Sequence, residues 1–154
     1  MGVYTANILW SRGEQPFTDG KYRRTHVWRF DGGAEVPGSA SPAYVRPPLS
    51  DEWAVDPEEA LVAALSSCHM LYFLDFARRA GFKVDSYDDH AEGVVEKSAD
   101  GRSAVSVIVL RPTVVFSGKR QPTPAERDVL HPKAHDACII ANSVKSEVRI
   151  EPVW

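Results

Sequence analysis

Two cysteines, Cys68 and Cys138, are the only thiols in the chain, and a thiol is among the side chains best able to act as nucleophile, redox centre or metal ligand. They stand 70 positions apart in a sequence of 154 residues. A chain of this size needs no covalent staple, so a permanent structural disulfide is not expected. Either the two are small apolar residues of a core, or they do chemistry.

Histidines near them open two kinds of site. His131, His135 and Cys138 are spaced four and three apart, which places all three on one helical face, as zinc ligands often are, with Cys68 or His69 available as a fourth ligand. Pro132 falls between the first two and argues against this set. A cysteine hydrolase or acyl-transfer enzyme would instead pair Cys68 with a general base, His69 or His135. Adjacent residues on a helix point about 100° apart, so His69 is badly placed and His135 remains.

These residues need elements to hold them. Residues 3 to 10 and 21 to 30 carry the β-branched and aromatic residues of strands, punctuated by Gly13, Asp19 and Gly20, and suggest an antiparallel pair. From Asp31 to Val55 the chain is rich in Gly, Pro, Ser and Ala, and only Ala43 to Arg46 looks extended. That long connection is either disordered or shapes a site.

At residue 56 the texture changes to DPEEALVAALSSCHMLYFLDFARRAGF, the pattern of a long helix. Asp56 fits the N-cap, Pro57 the first helical position and Glu59 the capping-box acid. Gly81 supplies the C-cap, after Arg78 and Arg79 at the negative end. From Ala60 to Phe76 the helix is apolar almost all round, which predicts burial on most sides and favours a partner chain.

Two β-like stretches follow, Lys83 to Lys97 and Ala104 to Phe116, joined at Ala99, Asp100 and Gly101, where Asp-Gly signals a hairpin. Pro122 and Pro124 precede a second helical stretch that runs to Ser143, and Pro132 must interrupt or restart it. A last strand spans Val144 to Val153. The order strands, helix, strands, helix, strand predicts a single α+β domain over residues 1–154, without internal repeats.

The segment VDPEEALVAALSSCHM resembles the central cysteine helix of the OsmC/Ohr family, the osmotically induced and organic hydroperoxide resistance thiol peroxidases. The segment KAHDACIIANSVKSEVRI resembles the family's second cysteine helix and following strand. The two matches cover the last hundred residues or so, whereas the N-terminal third aligns only loosely. The resemblance implies antiparallel sheets packed around a long buried helix that carries Cys68, in an intertwined homodimer. It also implies that Cys68 attacks a peroxide, becomes a sulfenic acid and is captured by Cys138 as a disulfide, which an external thiol then reduces.

A peroxidatic cysteine must be largely thiolate, yet an apolar helix pushes its pKa upward, and Cys68 lies too far from the helix start for the macrodipole to help. A cation is required. In the family it is an arginine held by a glutamate, and the glutamate of the Pro-Glu motif falls on Glu58. Arg46, on the loop before the helix, is the preferred arginine and Arg24 the runner-up. Ten residues at about 1.5 Å each separate Glu58 from Cys68 by roughly 15 Å along one helix, so the support comes from a folded-back loop or from a second subunit.

Apolar walls near the cysteines, Leu65, Met70, Tyr72, Phe73, Ile139 and Ile140, favour organic hydroperoxides over hydrogen peroxide, although each reads equally well as core packing. The longer, proline-rich lead-in from Gly33 to Pro48 and the His-rich approach to Cys138 depart from the family pattern. A non-catalytic protein that keeps the fold to bind a ligand is the main alternative, and zinc binding the other. No cofactor is implied.

Charge adds little. Eighteen Lys and Arg against 21 Asp and Glu demand no nucleic-acid or membrane partner. The start MGVYTANILWSRG lacks a secretory signal, and no apolar stretch reads as long enough to cross a bilayer, so the expected location is cytoplasmic. Ala6 stands where a myristoylation signal needs Ser or Thr.

Overall fold

The computed structural model describes residues 2–154. The chain packs as two compact units, residues 1–60 and 61–154, taken here in turn.

The first unit is built on a three-stranded antiparallel sheet of β1 (Ala6–Leu9), β2 (His26–Phe30) and β3 (Glu35–Gly38), in that order. β1 and β2 lie within the two expected stretches. The second starts later than expected: ahead of it the Arg24 N–H donates to the Leu49 carbonyl at 2.8 Å instead of to a neighbouring strand. The turn from β2 to β3 is tight, with Gly33 at φ +84° and its N–H on the Phe30 carbonyl at 3.0 Å. Only glycine enters that region without steric cost.

β3 thus occupies part of the stretch read as a long connection. Ala43 to Arg46, expected to be extended, forms turns instead, and the Tyr44 and Val45 N–H groups both reach the Ser41 carbonyl at 3.0 Å. Trp10, Phe17 and Tyr22 pack ring against ring, at centroid separations of 4.7 to 6.0 Å.

The helix α1 (Pro57–Arg79) begins in the first unit and runs into the second. Its start is closed reciprocally: the Glu59 N–H donates to Asp56 Oδ1 at 2.8 Å and the Asp56 N–H to Glu59 Oε2 at 3.1 Å. Its end is a Schellman turn, with Phe82 N–H on the Ala77 carbonyl, Gly81 N–H on that of Arg78, and Gly81 at φ +80°. Both ends match the expectation.

The inner face of α1 is a single line, Leu65, His69, Phe73 and Ala77, each four residues from the last. Burial on most sides is not found within the chain: Leu71 is 61% exposed. By length and composition alone α1 is also apolar enough to cross a membrane, contrary to the sequence reading. Core helices meet the same criterion, and the inner line of α1 packs into protein.

In the second unit a long hairpin turns at Asp100–Gly101, with Gly101 at φ +81°. The two stretches read as single strands each break once. Near the turn β5 (Glu92–Lys97) pairs with β6 (Ser103–Leu110); beyond the break β4 (Lys83–Asp89) pairs with β7 (Pro112–Ser117) in a separate sheet. Asp89 holds the break, since its carboxylate accepts the Arg111 N–H at 2.6 Å and the Ser66 hydroxyl.

β8 (Glu147–Ile150) joins β6 in parallel, with Val107 opposite Glu147 and Leu110 opposite Ile150, whereas the other paired strands among the described residues run antiparallel. A parallel neighbour requires a crossover, and the chain between β7 and β8 supplies it as α2 (Pro124–Ala137). Thr123 and Glu126 form a full capping box at its start. Pro132 does not interrupt this helix. The acceptor it strands is the Asp128 carbonyl one turn back, and both residues are exposed, so water can satisfy that group. After Cys138 a short 3-10 turn, Ala141–Ser143, leads to β8.

Two apolar clusters make the core of this unit. One joins Phe73, Ala77 and Phe82 to Leu130 and Ala134 of α2. The other joins Leu65 to Ile108 and Leu110 of β6, with Ile140, Val148 and Ile150 against it. Leu65 and Phe73 therefore serve as core packing, while Ile139 is 60% exposed.

Candidate functional site

Both cysteines lie in the second unit. Cys68 sits half-buried about three turns into α1, one position before the inner-face His69. Cys138 is fully buried and stands at the C-cap of α2, where the helix has already opened to φ −66°, ψ 111°. The Cys68 and Cys138 side chains are neighbours, close enough for Cys68 to raise the pKa of Cys138, and both are free thiols. Folding therefore brings together the pair that the sequence keeps 70 positions apart.

Burial pushes the Cys138 thiol up to about 11, and the neighbouring Cys68 thiol pushes the same way. The Ala141 N–H, donating to Cys138 Sγ at 3.4 Å, opposes this without reversing it. At neutral pH Cys138 keeps its proton, which suits a thiol that reacts second.

One constellation was missed in the sequence. His69 Nε2 and His131 Nδ1 share a hydrogen bond of 3.0 Å, with the rings almost parallel at 4°. Both residues are buried, at 1% and 3% exposure. Burial, then the positive charge His131 and His135 would carry, lowers the His69 pKa to about 4, and burial lowers that of His131 to about 4. Both imidazoles are neutral at pH 7. The burial of His69, though not its partner, was legible: His69 continues the line of Leu65, Phe73 and Ala77 at four-residue steps, which marks a core position.

The rival site geometries are not assembled among the described residues. Among the described residues no group of three or more His, Cys, Asp or Glu is disposed to hold a metal ion, so His131, His135 and Cys138 do not form the zinc set that their spacing allows. His69 spends its Nε2 on His131, and no cysteine–histidine hydrogen bond is made among the described residues, so the hydrolase arrangement is not assembled.

Arg46, Glu58 and Arg24 lie in the first unit. Arg46 is exposed on a turn whose carbonyl accepts the Leu49 N–H at 3.1 Å. Glu58 is half-buried in the first turn of α1, beside the Asp56–Glu59 cap. Neither joins an ion pair among the described residues. Arg24 is committed: its Nη1 donates to the Gly20 and Tyr22 carbonyls, and its guanidinium lies 3.9 Å from the centre of the Tyr22 ring.

Comparison with known proteins agrees with the fold. Residues 50–153 match the family model described as OsmC-like protein. The chain is similar to an OsmC-like protein of unknown function from Vibrio cholerae, at 49% identity over 99% of this chain and 100% of that one, with a TM-score of 0.97. It shares its fold with an organic hydroperoxide resistance protein from Elizabethkingia anophelis, at 15% identity, 99% and 94% coverage and a TM-score of 0.71. The organic hydroperoxide resistance protein OhrB of Bacillus subtilis follows, at 13% identity, 99% and 98% coverage and a TM-score of 0.67. No curated protein matches the chain. The two cysteine segments, the α+β fold that joins their thiols and the family match over residues 50–153 place this chain in the OsmC-like family.

Proposed function

We propose that the chain is a thiol-dependent peroxidase that reduces organic hydroperoxides, with hydrogen peroxide as a poorer substrate. Cys68 attacks the O–O bond as thiolate; with one proton taken up, the peroxide leaves as an alcohol and Cys68 becomes a sulfenic acid. The Cys138 thiol then condenses with it, forming the Cys68–Cys138 disulfide and releasing water. An external dithiol supplies two electrons and two protons to restore both thiols.

The observation that carries this reading is the proximity of the Cys68 and Cys138 thiols, since a sulfenic acid escapes further oxidation only if a second thiol is at hand. Membership of the OsmC-like family supports it. So do the names of fold relatives, which are organic hydroperoxide resistance proteins.

In the same proposal Arg46 holds the Cys68 thiolate and Glu58 orients that arginine, with Arg24 in reserve. A second copy of the chain covers α1, whose apolar outer side includes the exposed Leu71, and the dimer works in the cytoplasm. The test is steady-state consumption of cumene hydroperoxide with several reductants. Wild type is active, Cys68→Ser is inactive, and Cys138→Ser loses turnover with dithiols. Equal turnover in wild type and Cys68→Ser would refute the proposal.

A further inference from the structure

The histidine cluster has a second side that the thiol chemistry does not use. Between α2 and the stretch from Ile150 to Trp154 lies a cavity of about 370 Å³, lined by Asp128, Pro132, His135, Ile150 and Trp154 around the imidazole of His131. Its size falls in the range of small-molecule sites. Two of the nitrogens at this cavity, His131 Nε2 and His135 Nδ1, are buried and have no hydrogen-bond partner. A buried polar atom without a partner costs about 1–3 kcal/mol, so a cavity that orphans two has a reason to be filled.

The proton inventory says by what. A neutral imidazole prefers its proton on Nε2. Placed so, His69 donates from Nε2 to His131 Nδ1 across their 3.0 Å bond, and His131 in turn presents an Nε2–H donor to the cavity. In its neutral form His135 presents a lone pair on Nδ1. The cavity therefore offers one donor and one acceptor, with apolar walls from Ile150, the prolines and the Trp154 ring.

We infer that this cavity binds a small neutral hydroxyl compound with an apolar body, its oxygen accepting from His131 Nε2–H and its proton donated to His135 Nδ1. A carboxylate can only accept and leaves the His135 lone pair facing negative charge. An ammonium can only donate and meets the His131 N–H. Trp154 is the gate over His131: its ring stands 5.5 Å from that imidazole and is 49% exposed. The Arg127 guanidinium, 5.1 Å from the Trp154 ring, holds the gate shut. The site does not depend on the thiol reaction.

Three probes that share one ring and differ in head group test this on the full chain at pH 7.5: benzyl alcohol, benzoate and benzylamine. The readout is the side-chain ¹⁵N signals of His131 and His135, with Trp154 fluorescence alongside. The inference predicts saturable shifts of both imidazoles with benzyl alcohol alone, undiminished in Cys68→Ser. It also predicts affinity weakened about tenfold in His135→Phe, the effect of one lost hydrogen bond, and kept within about threefold in His135→Gln, which retains an acceptor. No saturable shift with benzyl alcohol, equal binding of either charged probe, or unchanged binding in His135→Phe overturns it. Binding lost in Cys68→Ser, which leaves these nitrogens intact, would also overturn it, while failure of the peroxidase reading alone leaves the alcohol shifts in place.

Discussion

His69 Nε2 and His131 Nδ1 meet at 3.0 Å and tie α1 directly to α2, the helix that ends at Cys138. The folded chain keeps both rings neutral, at pKa values of about 4 against 6.5 unfolded. The unfolded chain therefore binds more protons between those values, and stability contributed by the pair is complete above pH 6.5 and lost as pH falls toward 4. Denaturant titrations from pH 7 to pH 4 should show a loss of about 3 kcal/mol for each ring from this source. The double substitution His69→Leu with His131→Leu should flatten that part of the curve, relative to wild type.

The cap of α1 makes a separable contribution. Asp56 Oδ1 takes the Glu59 N–H at 2.8 Å, and the residue is buried, at 7% exposure. Asp56→Ala should cost about 1 kcal/mol by denaturant melt. Glu58→Gln, outside the reciprocal pair, should cost much less.

Phe73 fills the space between α1, α2 and the β4–β7 sheet, is fully buried and contacts the His131 ring at 4.5 Å. Phe73→Ala should destabilise by about 3–5 kcal/mol. Because the cavity it leaves adjoins His131, the same variant should raise the pKa of that imidazole toward 6.5, which NMR titration reads.

Exposure of Leu71 at 61% on a helix with one buried line is the observation behind the proposed dimer. Sedimentation should find wild type at twice the chain mass of 17.0 kDa. Leu71→Glu should move the population toward monomer, since a buried charge without a partner costs several kcal/mol.

Much of the fold was legible because local signals agreed with tertiary ones. Asp56, Pro57, Glu59 and Gly81 marked α1 at both ends, and Asp100–Gly101 marked the hairpin. What was not legible depended on distant partners. β3 is a strand because β2 pairs with it, not because Glu35–Gly38 has strand composition. The break in the long hairpin is set by Asp89 reaching Arg111 and Ser66. Pro132 stays helical, and both it and Asp128, whose carbonyl it strands, are exposed.

The site divided along the same line. Cysteine positions and family segments pointed to Cys68 and Cys138, and the fold joins them. His69 is badly placed by helix geometry to serve its neighbour Cys68, and its pairing with His131, 62 residues on, leaves no local trace. Arg46 and Glu58 rest on family resemblance.

The central claim, that Cys68 and Cys138 form one redox pair, is met most directly by oxidising the reduced chain with one equivalent of cumene hydroperoxide and mapping its peptides by mass. The account predicts one intrachain disulfide joining the Cys68 and Cys138 peptides, with the loss of two hydrogens, and in Cys138→Ser a sulfenic acid trapped on Cys68. Thiols that both remain free after the peroxide is consumed, or a disulfide formed only between chains, would contradict it.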